Sequence, residues 1–391
     1  MSVSERWGEA YAATRSCFLV AGLNLAQHRM RMVAGLLGAG VALLLLLLQI
    51  SFLDAARQKV TLLYDDFNFD LALVAQNYQF LDSSESFDRV RLLEAAGVAP
   101  VAQSFVLNIA GERWTNLATL QRSTTLVIGV DPAAADFVAE PMLRAGLGKL
   151  TDTHSVLVDS FSSPDFGDFA DGTKARLGDQ DVVVAGRFQL GLFFYADGGA
   201  VVRNAEFPRF SGRPSRLINI GLLRLAAGAD PIAAKQQITA SLPHDVRALT
   251  RQELIDQESA FFLSTKPIGI MLETGMLIAA CVGAILLFQV LSAESASRTN
   301  EYATMKAMGF GPKFVYGVLW AQMAILAVGS SLPAALLGGA VLWIVRDLTH
   351  LPTGLTPLLA FETVAIAMLV SAGCGLGALH RMWRADAADL Y

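Results

Sequence analysis

Thirty-two consecutive residues without a charge, Phe314–Val345, constrain this chain more than anything else in it. A run of that length is about 48 Å of α-helix at 1.5 Å per residue, against a bilayer core of about 30 Å. It predicts a helix in lipid that is tilted, protrudes, or breaks near Pro333 and Gly338-Gly339. Three further runs resemble it. Met32–Leu53 is uncharged, Ile268–Leu291 carries only Glu273, and Thr356–Leu379 carries only Glu362. Charged residues make up 17% of the 391, below the roughly 25% of an ordinary soluble domain, and they are concentrated between the runs. The composition is that of a membrane protein with a soluble part. A net charge of −5 argues against a nucleic-acid partner. Cys17, Cys281 and Cys374 lie in or beside the apolar runs, so no disulfide framework is implied.

The pattern divides the chain into a lead (1–31), a first span (32–53), a soluble domain (54–267), a second span (268–291), a polar loop (292–313), a third span (314–345), a fourth (356–379) and a tail (380–391). Met32–Leu53 is too long for a signal-peptide core, and no small-x-small cleavage site follows it. In the lead, Trp7, Ala10, Tyr11, Phe18, Leu19, Gly22, Leu23 and Leu25 fall at helical spacing with Arg6, Arg15, Arg29 and Arg31 among them. Either an interfacial helix or a frayed terminus fits that pattern. Arg and Lys favour the lead, the 292–313 loop (Arg298, Lys306, Lys313) and the tail (Arg381, Arg384), while the 346–357 loop has Arg346 alone. Under the positive-inside rule both termini and the 292–313 loop are then cytoplasmic, and 54–267 is outside.

The soluble part begins and ends in similar half-units. The first has a strand near Asp70–Gln76, a helix near Ser86–Ala96 and a strand near Val98–Leu107. The second has a strand near Leu217–Leu225, a helix opened by Asp230-Pro231 and running to Leu242, and a strand near Val246–Leu249. Two βαβ halves around an insertion, about 108–216, suggest a split ferredoxin-like unit. The insertion reads as β-rich, with runs at Thr125–Val130, Ser155–Val158, Val182–Phe188 and Ala200–Arg203. The predicted fold class is thus an α-helical membrane protein with four transmembrane helices and a large α+β extracytoplasmic domain.

Within the polar loop, Glu294 and Arg298 stand four apart in the favourable order for a helical ion pair. Tyr302, Met305 and Met308 form an i, i+3, i+6 stripe, Lys306 sits in the last turn, and Gly309 suits a left-handed C-cap before Gly311-Pro312. A short amphipathic helix between two spans can rest on headgroups or offer its stripe to a partner in the water. The run Glu301-Tyr-Ala-Thr-Met-Lys-Ala-Met-Gly309 resembles the loop of the FtsX/MacB (type VII) superfamily of ABC permeases. Tyr302 and Lys306-Ala307-Met308-Gly309, with an aromatic at 310, are closest to the DevC type. Val127-Ile-Gly-Val-Asp-Pro132 and the run from Gly178 to Phe188 look like the extracytoplasmic domain of MacB-type permeases, and Leu23–Arg31 resembles the N-terminal lead-in of these proteins. One span, a large outer domain and three spans is also that family's layout.

The resemblance implies a coupling helix at Arg298, Glu301, Tyr302, Met305, Lys306, Met308 and Gly309 that docks on a separate ATPase subunit. It implies no catalytic residue and no cofactor in this chain, with ATP and magnesium on the partner ATPase. It further implies a second permease copy, a periplasmic membrane-fusion adaptor, an outer-membrane channel and residence in a bacterial inner membrane. The cargo would be a lipid, glycolipid or other amphiphile. An FtsX-like mechanical regulator of a periplasmic hydrolase and a LolC/LolE-like lipoprotein-extracting permease use the same scaffold.

The residues read alone agree on the chemistry. No Gly-x-x-x-x-Gly-Lys-Ser/Thr occurs; Gly146-Leu-Gly148-Lys149 lacks the first glycine and the hydroxyl residue. Asp165, Asp168, Asp171 and Gly172 are spaced by threes, unlike a calcium loop, and suit turns. His154 and His244 have no thiolate or carboxylate at ligand spacing. Glu273 and Glu362 each lie about 9 Å inside a span from its outer end. They are either headgroup-level carboxylates paired with Lys266, Arg57 or Arg346, or a gate or latch of the membrane part. Glycines at 35, 38 and 40 and at 373, 375 and 377 permit close helix approach.

Overall fold

The structure is a computed structural model that describes residues 16–23, 29–81, 85–191, 196–297, 312–349, 351–366 and 368–369. The chain divides into two compact units, Ala56–Ile270 and the remainder, Met1–Ala55 with Met271–Tyr391.

The described residues of the remainder are mostly helical. Helix α1 runs Arg29–Asp65, α7 Pro267–Ser297, α8 Pro312–Thr349 and α9 Pro357–Ile366; the ends of α1 and α7 extend into the other unit. Three of these, α1, α7 and α8, are long and apolar enough to cross a bilayer, while α9 is a shorter apolar helix among the described residues. Of the tilt, protrusion or break expected of this run, the break near Pro333 does not occur: α8 continues through Pro333 and both glycines. A proline removes one helical hydrogen bond, and neighbouring side chains and helices can compensate for that inside a membrane. A Cβ at Gly338 would lie 2.7 Å from the Leu47 side chain, so this glycine lets α8 approach α1. Gln49 Nε2 donates to the Leu272 carbonyl at 2.8 Å, tying α1 to α7. A helix at 16–23 sets Cys17 and Ala21 against Val318 and Ala321 of α8.

The Ala56–Ile270 unit is built on β1 Leu71–Ala75, β2 Phe87–Asp88, α2 Val90–Val98, β3 Val101–Asn116, β4 Arg122–Val130, α3 Pro141–Leu147, β5 Ser155–Asp159, β6 Lys174–Leu177, β7 Gln180–Phe188, β8 Gly198–Arg203, α4 Phe207–Ser211, β9 Leu217–Ile218, β10 Ile220–Leu225, α5 Pro231–Ser241, β11 Val246–Thr250 and α6 Arg251–Thr265. Asp230 starts α5 by accepting the Ile232 and Ala233 N–H groups, with Pro231 in the first turn. Nine strands pair in the order β11-β1-β10-β3-β4-β8-β5-β7-β6. The long β3 belongs to two structures. Val101–Leu107 pairs with β10 in an antiparallel sheet, and Asn108–Asn116 pairs with β4. Because Trp114–Asn116 also pairs with β6, strands β3-β4-β8-β5-β7-β6 close into a barrel.

Side-chain alternation explains both cores. In the sheet, Leu71, Leu73 and Ala75 of β1 face α2 and α5, meeting Leu92, Ala95, Ala234 and Ile238. Ala72 and Val74 face the opposite way, toward Leu63 and Tyr64 of α1 and Leu254 of α6. All six barrel strands send residues inward, among them Trp114, Val127, Val156, Val158, Leu177, Val184 and Val202. The barrel's other face, with Leu126, Ile128, Leu157 and Val201, packs against Leu143 and Leu147 of α3.

Candidate functional site

The last turns of α1, from Ala56 to Asp65, and the whole of α6 lie on one face of the sheet. These are the segments by which the chain enters and leaves the unit. Both follow from apolar stripes interrupted by one charge. On α1, Ala56, Lys59, Val60, Leu63 and Tyr64 are buried; on α6, Leu254, Glu258 and Phe262 are buried at four-residue spacing. A Lys or Glu is almost never fully buried without partners, so these two positions mark the site.

Glu258 has no solvent exposure. Its Oε1 accepts the hydroxyls of Tyr64 (2.9 Å) and Tyr78, and its Oε2 accepts the Leu81 N–H at 3.2 Å. The two tyrosine oxygens are 2.9 Å apart. One carboxylate thus joins the incoming helix, the outgoing helix and the segment after β1. Outside this cluster, Arg251 at the start of α6 pairs with Asp65 at 2.5 Å. Thr250 and Glu253 close a capping box there, so β11 turns into α6 without a loop. At the other end of α6, Phe80 stacks on Phe261 with centroids 5.4 Å apart, and Lys266 Nζ sits 5.0 Å above the Phe80 ring. Lys266 is extended (φ −79°, ψ 137°), as the residue before Pro267 must be, and this separates α6 from α7.

A second buried cluster ties α1 to the barrel. Lys59 Nζ donates to the Gly191 carbonyl at 2.7 Å. Gly191 has φ +72°, and a Cβ there would lie 2.5 Å from Lys59 Nζ, so the position requires glycine. Asp159, fully buried at the end of β5, accepts N–H groups from Phe161 (3.0 Å), Leu190 (3.1 Å) and Gly191 (2.5 Å). Burial pushes the Asp159 carboxyl up, opposed by these three bonds and by Lys59. Beside it, burial and the charges of Glu140, Asp65 and Asp159 push Asp66 up to about 7, and Asp66 Oδ2 is buried without a hydrogen-bond partner. The arrangement holds two helices to one sheet face and one of them also to the barrel.

The coupling residues Arg298, Glu301, Tyr302, Met305, Lys306, Met308 and Gly309 lie outside the described residues. Glu273 on α7 and Glu362 on α9 are exposed, and neither has an ion pair among the described residues. Asp168 accepts the Ala170 N–H in a turn, and Asp171 pairs with Lys149 at 2.9 Å. Among the described residues no three metal-ligating side chains gather. Lys59, Tyr64, Tyr78, Asp159 and Glu258 were not singled out by sequence reasoning, although the interrupted stripes on α1 and α6 carried the signal.

Residues 274–386 match the family model described as FtsX-like permease C-terminal. That region takes in α8, α9, most of α7 and the polar loop between α7 and α8. No curated protein sequence matches the chain. Among solved structures the chain is similar to the extracellular domain of the noncanonic ABC-type transporter YknZ from Gram-positive bacteria, at 11% identity and a TM-score of 0.35, covering 46% of this chain and all of that one. It is also similar to the periplasmic region of MacB from Actinobacillus actinomycetemcomitans, at 6% identity and a TM-score of 0.36, covering 50% of this chain and 94% of that one. The chain thus carries an FtsX-like permease region, from 274 to 386, next to a large α+β unit.

Proposed function

We propose that this chain is the permease subunit of an ABC exporter that passes ATP-driven motion across the membrane to its Ala56–Ile270 unit. The observation that carries the reading is the FtsX-like permease match over 274–386, which contains the amphipathic loop. ATP and magnesium would be bound by a separate ATPase, docked where Tyr302, Met305 and Met308 form a stripe with Glu301 and Lys306 beside it. The order β11-β1-β10-β3, with α2 and α5 on one face, supports a split ferredoxin-like unit into which the barrel is inserted. The clamps at Glu258 and Lys59 support mechanical transmission, because a displacement of α1 or α6 must move the sheet or break buried polar contacts. Two copies in a bacterial inner membrane, with four spans each and both termini cytoplasmic, complete the proposal. An adaptor and an outer-membrane channel would receive a lipid, glycolipid or other amphiphile.

Met305→Asp tests the docking stripe. Losing a buried interface anchor costs about 2 kcal/mol or more, roughly thirtyfold in affinity. The variant is expected to insert and dimerise but to lose its ATPase on co-purification, whereas Thr299→Asp changes little. Retention of the ATPase and of full transport by Met305→Asp would reduce the segment to a headgroup-resting loop.

A further inference from the structure

The chain leaves the Ala56–Ile270 unit through a bend with no loop in it. Helix α6 ends at Thr265 and α7 begins at Pro267, so Lys266 alone lies between them. An extended residue at the junction of two helices is the kind of position that absorbs a hinge motion. Here the surrounding contacts close it. The Lys266 N–H donates to the Phe262 carbonyl at 3.1 Å and the Ile270 N–H to the Lys266 carbonyl at 3.0 Å, so helical bonding reaches the junction from both sides. Gly269, in the first turn of α7, is buried on the last turn of α6. A Cβ there would lie 2.1 Å from the Phe262 carbonyl oxygen and 2.7 Å from Leu263 Cα. Even an attractive C–H···O contact holds carbon and oxygen roughly 3.3 Å apart, so only glycine lets the two turns meet this closely. The contact is backbone on backbone, which no side-chain rotation can relieve.

The segment 78–81, which follows β1, holds the same junction through side chains. Phe80 is buried, stacked on Phe261 and Phe262 of α6 with centroids 5.4 and 6.3 Å apart, and Lys266 Nζ stands 5.0 Å above its ring. The segment is itself pinned. The Tyr78 carbonyl accepts from Arg247 of β11 and, at 3.0 Å, from Gln257 Nε2 of α6, and the Leu81 N–H donates to Glu258. Phe80, Phe262, Leu263, Lys266 and Gly269 all belong to the Ala56–Ile270 unit.

We propose that this junction is a fixed elbow, in which Gly269 and the Phe80–Lys266 pair lock the first turn of α7 to α6 so that the two turn as one body. Bending that closes the elbow drives Gly269 into the α6 backbone. Bending that opens it breaks the contact that the missing side chain makes possible. The elbow rests on the exporter reading only for its consequence: motion arriving along α7 enters the sheet through α6 and is not absorbed at Lys266-Pro267. Gly269 and Lys266 are then positioning residues for that motion.

The test needs no ATPase, which keeps its outcome separate from that of Met305→Asp. The full chain, with Cys17, Cys281 and Cys374 replaced by alanine, carries nitroxide labels at Gln252→Cys and Met271→Cys, both exposed positions. It is placed in nanodiscs of dimyristoyl or dioleoyl phosphatidylcholine. The two bilayers differ in thickness, and spanning helices adjust to thickness by tilting. Double electron–electron resonance is expected to give one narrow distribution of label separations, the same in both lipids. In Gly269→Ala the 2.1 Å approach must open to roughly 3.3 Å, so the peak is expected to shift by at least about 1 Å and to differ between the lipids. Lys266→Met keeps the stem, removes the cation and adds nothing to the close contact. It should broaden the peak, which keeps the proposal testable if Gly269→Ala fails to insert. A parent peak that is broad, or that moves with bilayer thickness, would overturn the proposal in favour of a hinge. Retention of the parent peak by every variant that inserts would overturn it equally.

Discussion

Replacing Glu258 by alanine examines the joint between the two helices and the sheet. In the native unit Glu258 accepts from Tyr64, Tyr78 and the Leu81 N–H inside a site without solvent. The variant removes the acceptors of all three bonds at once. The tyrosine hydroxyls remain 2.9 Å apart and can satisfy one donor between them, which leaves two orphaned. Each buried unsatisfied donor costs about 1–3 kcal/mol, and the vacated side-chain volume adds about 1 kcal/mol. A loss of about 3–7 kcal/mol is expected, or roughly 10–20 °C in unfolding midpoint for a domain of this size. Trp114 is the only tryptophan between residues 54 and 267 and is buried in the barrel, so its fluorescence reports the unfolding of a soluble fragment spanning that range. Such a fragment is expected to fold cooperatively. Converting Glu258 to leucine together with Tyr64→Phe and Tyr78→Phe removes both hydroxyl donors with their acceptor, leaves the Leu81 N–H without that acceptor, and should regain part of the loss. A loss below about 1 kcal/mol for Glu258→Ala, or additive losses in the triple variant, would refute the account of Glu258 as the shared acceptor.

Asp66 gives a pH signature. Its folded-state pKa of about 7 lies above the ordinary 3.8, so the folded unit holds a proton that the unfolded chain has released. Its stabilising protonation is complete below about pH 4 and is lost as pH rises through 7, a decrease of at most about 4 kcal/mol. Asp66→Asn should therefore match the wild type near pH 4 and exceed it at pH 8 in denaturant midpoint; an equal difference at both pH values would show that Asp66 does not titrate in this window. For topology, Ala118→Cys places an exposed thiol on the connection between β3 and β4. It should react with an impermeant thiol reagent in intact spheroplasts, and labelling only after lysis would reverse the orientation.

The elements that local pattern specifies were legible in advance, and the closures between them were not. Strands β1, β4, β5, β7 and β8 stand within a few residues of their expected positions because their apolar runs are bounded by Gly and Asp turns. The expected boundary at Asn108 falls instead inside β3, which runs unbroken to Asn116. No turn residue marks the change, since what changes is the partner strand and not the backbone. Strand β6, Lys-Ala-Arg-Leu, was missed because four residues alternating charge with small apolar groups carry little signal, yet it closes the barrel by pairing with both β3 and β7. The clamps were hidden in the same way. Lys59 and Glu258 interrupt apolar stripes, and only the fold shows that those stripes point inward, where the two find partners 132 and 194 residues away in Gly191 and Tyr64. Those separations place both buried clusters in long-range pairing. The stripe proposed at Tyr302, Met305 and Met308 is by contrast a local pattern within nine residues of sequence.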